Sequence, residues 1–294
     1  MILICGATGT MGSELTKQLA GQNEAVRALV RSPNKAEWLS SYGVRTVSGD
    51  LAQPKTLGPA LKDISKVFML SSADPHQVQY QHNMIEACKK AAVQLVVKLS
   101  ALGAAPNSPV QLAQWHYQSE EDLKTSGLPF VILRPSFFMQ NLLMNAESIQ
   151  REGKIYAAAK NGRIGMVDVR DVAAVAGACL LESGHIGKTY EITGGEAISY
   201  SDIARIFSEL LKRRISYVEI NWDEAHKQLR QMGVEHWMAD DLCTLMEFFA
   251  SGGGATLNDT VMRVAHKKPY TFKEFAQTYG PVFVGRQKVA VGTA

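Results

Sequence analysis

The chain has 294 residues, of which 46% are hydrophobic and 20% are charged, a composition typical of a globular protein with a sizeable core. A net charge of +3 does not indicate a nucleic-acid-binding protein, and no apolar run approaches the roughly 20 residues that cross a bilayer. The start "MILICG" lacks the charged segment and long apolar stretch of a signal peptide. We therefore expect a cytoplasmic protein that binds neither nucleic acid nor membrane.

The four cysteines lie far apart in the sequence. Cys5, Cys88, Cys179 and Cys243 have none of the spacings typical of metal ligands. We expect four reduced, mostly buried thiols, and no metal site.

Short β-type runs alternate with amphipathic helical segments over residues 1–150. This alternation predicts an α/β fold with a doubly wound parallel sheet covered by helices on both faces. The predicted strands are Met1–Cys5, Ala25–Val30, Val44–Ser48, Val67–Leu70, Leu95–Leu99 and Phe130–Leu133.

The pattern changes after about residue 150. Residues 151–284 are predicted to form a smaller α+β lobe that covers the substrate, with segments that return to the sheet, and residues 285–294 to form a flexible tail. The candidate N-caps of two helices in this part are Asp168 or Asp171, and Ser199 or Ser201.

The segment "CGATGTMG" places Gly6, Gly9 and Gly12 three residues apart, directly after the first strand and at the start of a helix. Glycines at this point let the backbone approach a diphosphate, and the helix N-terminus attracts anions. The same glycines can also serve a tight strand-to-helix turn. Their position favours a dinucleotide site.

The end of the second strand indicates which dinucleotide binds. An NAD site usually has an acidic residue here for the ribose hydroxyls, whereas "AVRALVRSPNK" offers Arg31 and Lys35. Two cations suit a 2′-phosphate and favour NADP(H), although they can also be a solvated surface pair.

Two further strand ends carry polar residues. Asp50 and Leu51 follow the third strand, where Asp50 can bond an adenine amino group or cap a turn. Ser71 and Ser72 follow the fourth strand, beside the expected path of the cofactor.

Several segments together resemble the NmrA-like family, an atypical branch of the short-chain dehydrogenases/reductases. They include "GATGTMG", "VRSPNKA", "LKTSGLPFVILRPSFFMQNLL" and "VDVRDVAAVA", and the resemblance covers roughly residues 1–210. It implies a Rossmann domain with a small carboxyl-terminal lobe. It also implies either an NADPH-dependent reductase of quinones, azo dyes or triphenylmethane dyes, or a regulator that binds the cofactor without turnover.

The resemblance assigns roles to individual positions. The diphosphate loop is matched by Gly6, Thr8, Gly9, Thr10, Met11 and Gly12. The 2′-phosphate contacts are matched by Arg31 and Lys35, the adenine contacts by Asp50 and Leu51, and the stretch near the nicotinamide ribose by Ser71 and Ser72. Those that match the loop lining the nicotinamide and substrate space are Pro135, Phe137, Phe138 and Asn141.

The helix that carries the superfamily's Tyr-x-x-x-Lys pair departs from that pattern. Tyr117 is followed four residues later by Glu121, and an acid there would raise the tyrosine pKa, which argues against the usual mechanism. His116 and Glu120 share one helix face and can hydrogen-bond. His116 can relay a proton or can simply anchor a loop.

Two residues at the end of the fifth strand are further candidates. Ser100 falls near the superfamily's substrate-polarising serine. Lys98 is a possible proton donor, although we expect it to be exposed or directed at the cofactor ribose.

A quinone or dye accepts hydride with little acid catalysis, so an apolar pocket suffices. Phe137, Phe138 and Trp115 can line one, or can be plain core. We therefore predict an NADPH-dependent reductase of a small aromatic or quinone-like substrate, monomeric or homodimeric, with an NADP(H) sensor as the alternative. Reductases of the pinoresinol type fit less well, because they carry a lysine on this helix.

Overall fold

The computed structural model describes residues 1–285, apart from the side chains of residues 33–35. The predicted tail, residues 285–294, lies outside the described residues except for Gly285. Within residues 1–285, every helix is too short or too polar to span a bilayer.

In the described part of the chain, nine strands form two parallel sheets. In chain order they are β1 (Ile2–Ile4), β2 (Val26–Val30), β3 (Arg45–Ser48), β4 (Lys66–Met69), β5 (Leu95–Leu99), β6 (Phe130–Pro135), β7 (Lys154–Ala157), β8 (Thr189–Ile192) and β9 (Ser216–Glu219). The main sheet has the spatial order β3-β2-β1-β4-β5-β6-β8. The six predicted strands are confirmed, with ends that differ by at most two residues. Strand order reverses between β1 and β4, and ligands of doubly wound sheets bind at such a switch point.

Helices cover both faces of the main sheet. The α-helices of residues 1–285 are, in chain order, α1 (Thr10–Gly21), α2 (Leu57–Ala60), α3 (Gln77–Lys90), α4 (Gln111–Thr125), α5 (Ala146–Glu152), α6 (Val169–Leu181), α7 (Tyr200–Leu211), α8 (Trp222–Gln231), α9 (His236–Ala250), α10 (Thr260–Ala265) and α11 (Phe272–Phe283). Ile2 and Ile4 pack in the core beneath α1 and α6, whereas Leu3 between them packs with α2 and α3. This two-sided burial explains why the strands are apolar at successive positions.

The carboxyl-terminal half builds a second core and also completes the first. β7 and β9 pair in a small sheet, and α5, α7 and α11 pack around a core that includes Phe207 and Phe275. β8 joins the main sheet beside β6, and α6 packs against α1. Of the candidate caps, Asp168 caps α6, and Ser199 caps α7 in a capping box with Asp202.

All four cysteines are buried free thiols, as predicted. Burial raises the pKa of Cys5 and of Cys179 to about 12 and that of Cys243 to about 11, so these thiols stay protonated at neutral pH.

Candidate functional site

The glycine turn is built around the carbonyl of Gly6. Gly6 has a φ of +67° and its carbonyl oxygen accepts from the Gly9 amide at 2.9 Å. A Cβ on Gly12 would lie 2.1 Å from that same oxygen, so only glycine fits there. α1 begins at Thr10, and its N-cap, Gly9, has no side chain with which to cap the helix. The turn thus leaves an anion-attracting helix end at the carboxyl edge of β1.

A groove of about 410 Å³ opens at this edge, across the ends of β1, β2, β3 and β4. Of the predicted cofactor residues, the ones that line it are Gly6, Thr8, Gly9, Arg31, Asp50, Leu51, Ser71 and Ser72. The sequence analysis missed other lining residues, among them Leu29, Ala52, Asp74 and Tyr80. Tyr80 stacks on His76 at the start of α3, where the segment "SSADPHQVQY" carries no recognisable ligand pattern. More residues therefore line the groove than the motifs of the sequence indicate.

Other predicted cofactor residues have different surroundings. Met11 is 1% exposed and belongs to the core under α1. The side chain of Lys35 lies outside what the structure describes. Asp50 lines the groove, and its Oδ1 accepts from the Ala52 amide at 3.0 Å, as in its predicted role of capping a turn; its contact with an adenine stays a prediction.

A second cluster lies at the end of β5, where Lys98 is fully buried. Its Nζ donates to the Leu99 carbonyl at 3.2 Å and lies 3.4 Å from Nδ1 of His116 on α4. The expectation that Lys98 is exposed is wrong, because its side chain is buried beside His116 of α4; a contact with the cofactor ribose stays a prediction. The structure therefore places an amine and an imidazole side by side.

Glu120 holds this cluster together from α4. Arg134 on β6 donates to it twice, from Nε to Oε1 at 2.9 Å and from Nη2 to Oε2 at 2.6 Å. Ser100 donates to Oε1 at 2.5 Å. Glu120 thus pairs with these two residues and not, as predicted, with His116. Because Ser100 spends its single hydroxyl proton on Glu120, the arrangement does not support its predicted role in polarising a substrate.

Burial sets the protonation states of the cluster. It lowers the pKa of Lys98 to about 7, although the Glu120 charge acts in the opposite direction. Burial and the nearby Lys98 charge hold the pKa of His116 well below its ordinary value. Burial would raise the pKa of Glu120, but the hydrogen bonds from Arg134 and Ser100 hold it below its ordinary value. At neutral pH the cluster therefore contains an ionised glutamate, a neutral histidine and a lysine that is close to its pKa and only partly protonated.

Tyr117 is half-buried on α4, next to His116. Glu121, which occupies the place of the superfamily lysine, forms an ion pair with Lys124 at 2.8 Å. The lysine of this site thus comes from β5 and faces the histidine of α4.

Aromatic side chains link the site to α9. Trp115 lies against Trp237 of α9 with ring centroids 5.0 Å apart, and Phe137 meets Phe249 edge-on at 5.6 Å. Phe138 packs instead against the main-sheet core, which agrees with the alternative of plain core. The remaining predicted lining residues are Pro135, buried at the end of β6, and Asn141, half-buried in the 3₁₀ segment Met139–Asn145.

α9 also caps α4 through Asp241, which is 6% exposed. Its Oδ1 accepts from the Gln111 amide and its Oδ2 from the Leu112 amide, both at 2.7 Å. These groups are about 130 residues apart in sequence, so no local pattern could reveal the contact. The helix that carries His116 is therefore anchored by the carboxyl-terminal half of the chain.

Comparisons with known proteins agree with this architecture. The chain matches the NmrA-like family model over residues 1–276. An NAD(P)H azoreductase of Xenophilus azovorans is 37% identical over 283 residues, 96% of this chain and 99% of the relative. Quinone oxidoreductase 2 of Escherichia coli K12 is 31% identical over 257 residues, 86% and 89% of the two chains.

Among solved structures, an NADPH-dependent quinone oxidoreductase from Escherichia coli, complexed with NADPH, has a TM-score of 0.86 and 27% identity. The match covers 95% of this chain and 100% of the other. The chain therefore belongs to the NmrA-like family.

Proposed function

We propose that the protein is an NADPH-dependent reductase that transfers hydride to a flat, conjugated acceptor such as a quinone or an azo compound. The family membership and the full-length similarity to an azoreductase and a quinone oxidoreductase support a reductase. The observation that carries the proposal is the Lys98–His116 pair beside the carboxyl edge of the sheet, because it offers a proton source next to α4, on which Tyr117 is followed four residues later by Glu121 in place of a lysine.

The residues at the groove support NADP(H) as the cofactor. The turn from Gly6 to Gly12 suits the diphosphate, and the exposed Arg31 suits the 2′-phosphate, for which a guanidinium is well shaped. Asp50 and Leu51 form the wall proposed to meet the adenine. When bound, NADPH supplies the hydride.

Reduction of a quinone or azo bond also consumes a proton. Lys98 carries one below about pH 7, and its Nζ lies 3.4 Å from Nδ1 of His116. A neutral histidine can accept a proton at one ring nitrogen while it donates from the other. In this proposal the proton passes from Lys98 through His116 to the reduced acceptor, and Glu120 holds the histidine's helix against β5 through Ser100.

Aromatic side chains favour a flat acceptor. Trp115 on α4 and Phe137, two residues after β6, are the predicted lining residues, and Trp237 and Phe249 of α9 pack against them. Rings of this kind can stack on a conjugated ring system and position its acceptor carbon for hydride transfer.

The test is NADPH oxidation, followed by loss of the cofactor absorbance, with a quinone and with an azo dye. We expect Lys98→Met and His116→Gln to lower kcat by about 10- to 100-fold, at the low end of general acid catalysis, because the acceptor delocalises its charge. Tyr117→Phe is the matched control on the same helix and should stay within about threefold of the parent, as expected if no tyrosine proton is used.

Three outcomes would contradict the proposal in different ways. A large loss in Tyr117→Phe would assign the proton to the tyrosine. Unchanged kcat in both Lys98→Met and His116→Gln would remove the relay but leave a reductase. Tight NADPH binding without oxidation by any acceptor would favour the alternative of an NADP(H) sensor.

A further inference from the structure

Two histidines and an aspartate meet on the α8–α9 hairpin, and they belong neither to the groove lining nor to the Lys98 cluster. His226 lies on α8, and His236 and Asp240 are four residues apart on one face of α9. Their candidate ligand atoms all lie within 4.8 Å of one another. We propose that these three residues bind a divalent transition-metal ion, Zn²⁺ in particular.

The chemistry of the donors selects the class of metal. Two imidazoles with one carboxylate suit Zn²⁺ and its transition-metal neighbours, whereas Mg²⁺ and Ca²⁺ prefer oxygen ligands alone. Three protein ligands leave a fourth tetrahedral position for water. The spacing of the cysteines predicts no metal site, and it says nothing of these histidines: His226 and His236 are ten residues apart in the sequence, and the hairpin brings them together.

The distances are close to what zinc requires. Nε2 of His226 lies 3.1 Å from Oδ1 of Asp240, and Nδ1 of His236 lies 2.8 Å from Oδ2. Ligand atoms of a tetrahedral site are about 3.3 Å apart, since each bond is about 2.0–2.2 Å long. The side chains of His236 and Asp240 are 72% and 42% exposed, so they can rotate by the small amount needed.

His226 supplies a fixed ligand. Its ring stacks on Trp222, with centroids 4.9 Å apart and an angle of 6° between the planes, and it meets the His236 ring at 5.0 Å. Its Nε2 is buried and, although close to Asp240, makes no hydrogen bond with it. A buried nitrogen left without a hydrogen bond lowers stability, and a metal ion would use its lone pair.

The experiment is calorimetric titration of ZnCl₂ into the full chain, freed of any affinity tag, in a buffer that does not chelate. We expect one Zn²⁺ per chain and a rise in the thermal midpoint on binding. His226→Gln and His236→Gln should each weaken binding at least tenfold and reduce that rise. His266→Asn is the matched control: His266 is exposed, lies outside the cluster and has a φ of +52° that asparagine tolerates, so its zinc binding should be unchanged.

Two results would overturn the proposal. One is the lack of saturable 1:1 binding by the parent chain. The other is parent-like affinity in His236→Gln, or in a folded His226→Gln, which would place the ion elsewhere. Because His236 is exposed, His236→Gln keeps the test decisive even if His226→Gln fails to fold.

Discussion

Replacing Lys98 by methionine should make the protein more stable while it lowers kcat. Burial lowers the pKa of Lys98 from 10.5 to about 7, so a protonated amine is held in the fold at a cost. At about 1.4 kcal/mol per pH unit, that difference corresponds to about 5 kcal/mol. Methionine has a similar volume and no charge, but it gives up the bond to the Leu99 carbonyl, which is worth about 1 kcal/mol. We therefore expect a gain of about 3–5 kcal/mol at pH 6.

The gain should depend on pH in a defined direction. Below about pH 7 Lys98 is protonated in both the folded and the unfolded chain, and the whole cost is present. Between about pH 7 and 10.5 the unfolded chain binds more protons, so the stability of the parent rises with pH. The advantage of Lys98→Met should therefore shrink across that window and vanish above it.

The assay is urea unfolding of the parent and of Lys98→Met at pH 6, 8 and 10. Lys90→Met, which removes an exposed lysine from the end of α3, is the control and should give a small difference that does not vary with pH. A Lys98→Met protein that is less stable than the parent at pH 6, or a gain that is the same at all three pH values, would refute the reasoning. In either case Lys98 would not be held as a costly buried amine.

Four further predictions concern activity, cofactor binding and stability. In the parent, kcat for quinone reduction should fall up to tenfold per pH unit above about pH 7, as Lys98 loses the proton that it donates. Gly12→Ala should lower the affinity for NADPH at least tenfold in fluorescence titrations, because its Cβ would meet the Gly6 carbonyl at 2.1 Å. Arg31→Ala should weaken the binding of NADPH by about 10- to 100-fold, because it removes a charge-assisted hydrogen bond, and should leave the affinity for NADH within about twofold. Asp241→Asn should lower the free energy of unfolding by about 1–2 kcal/mol, because it loses one capping bond and the charge at the N-terminus of α4.

Each of these predictions has its own control. If kcat of Lys98→Met still falls above about pH 7, another group donates the proton. Gly21→Ala at the other end of α1 meets no atom within 4 Å and should bind NADPH normally. Equal losses of NADPH and NADH in Arg31→Ala would refute the phosphate contact. Asp259 is exposed, so Asp259→Asn should change the free energy of unfolding much less than Asp241→Asn does.

The sequence predicts well what is encoded locally. The glycine turn, the strand ends and the caps Asp168 and Ser199 follow from residue types within a few positions of one another. The partners of Glu120 do not, since Arg134 reaches it from β6 and Ser100 from the position that follows β5.

Burial was the harder property to predict. A lysine near the end of a strand usually reaches solvent, and only the packing of α4 over β5 buries Lys98 next to His116. The same limit applies to Phe138, whose residue type suits a pocket wall and a core equally well.

The cap that Asp241 places on α4 has a consequence for protein engineering. If the acceptor preference is determined by the carboxyl-terminal half, an obvious experiment is a chimera that takes this half from a relative. Such a chimera would join the carboxylate of one parent to the amides of Gln111 and Leu112 from the other. Any mismatch would shift the histidine of the proposed relay as well as the acceptor. A chimera should therefore take α4 and the carboxyl-terminal half from the same parent. Residues that contact each other are then exchanged together, although they are not continuous in the sequence.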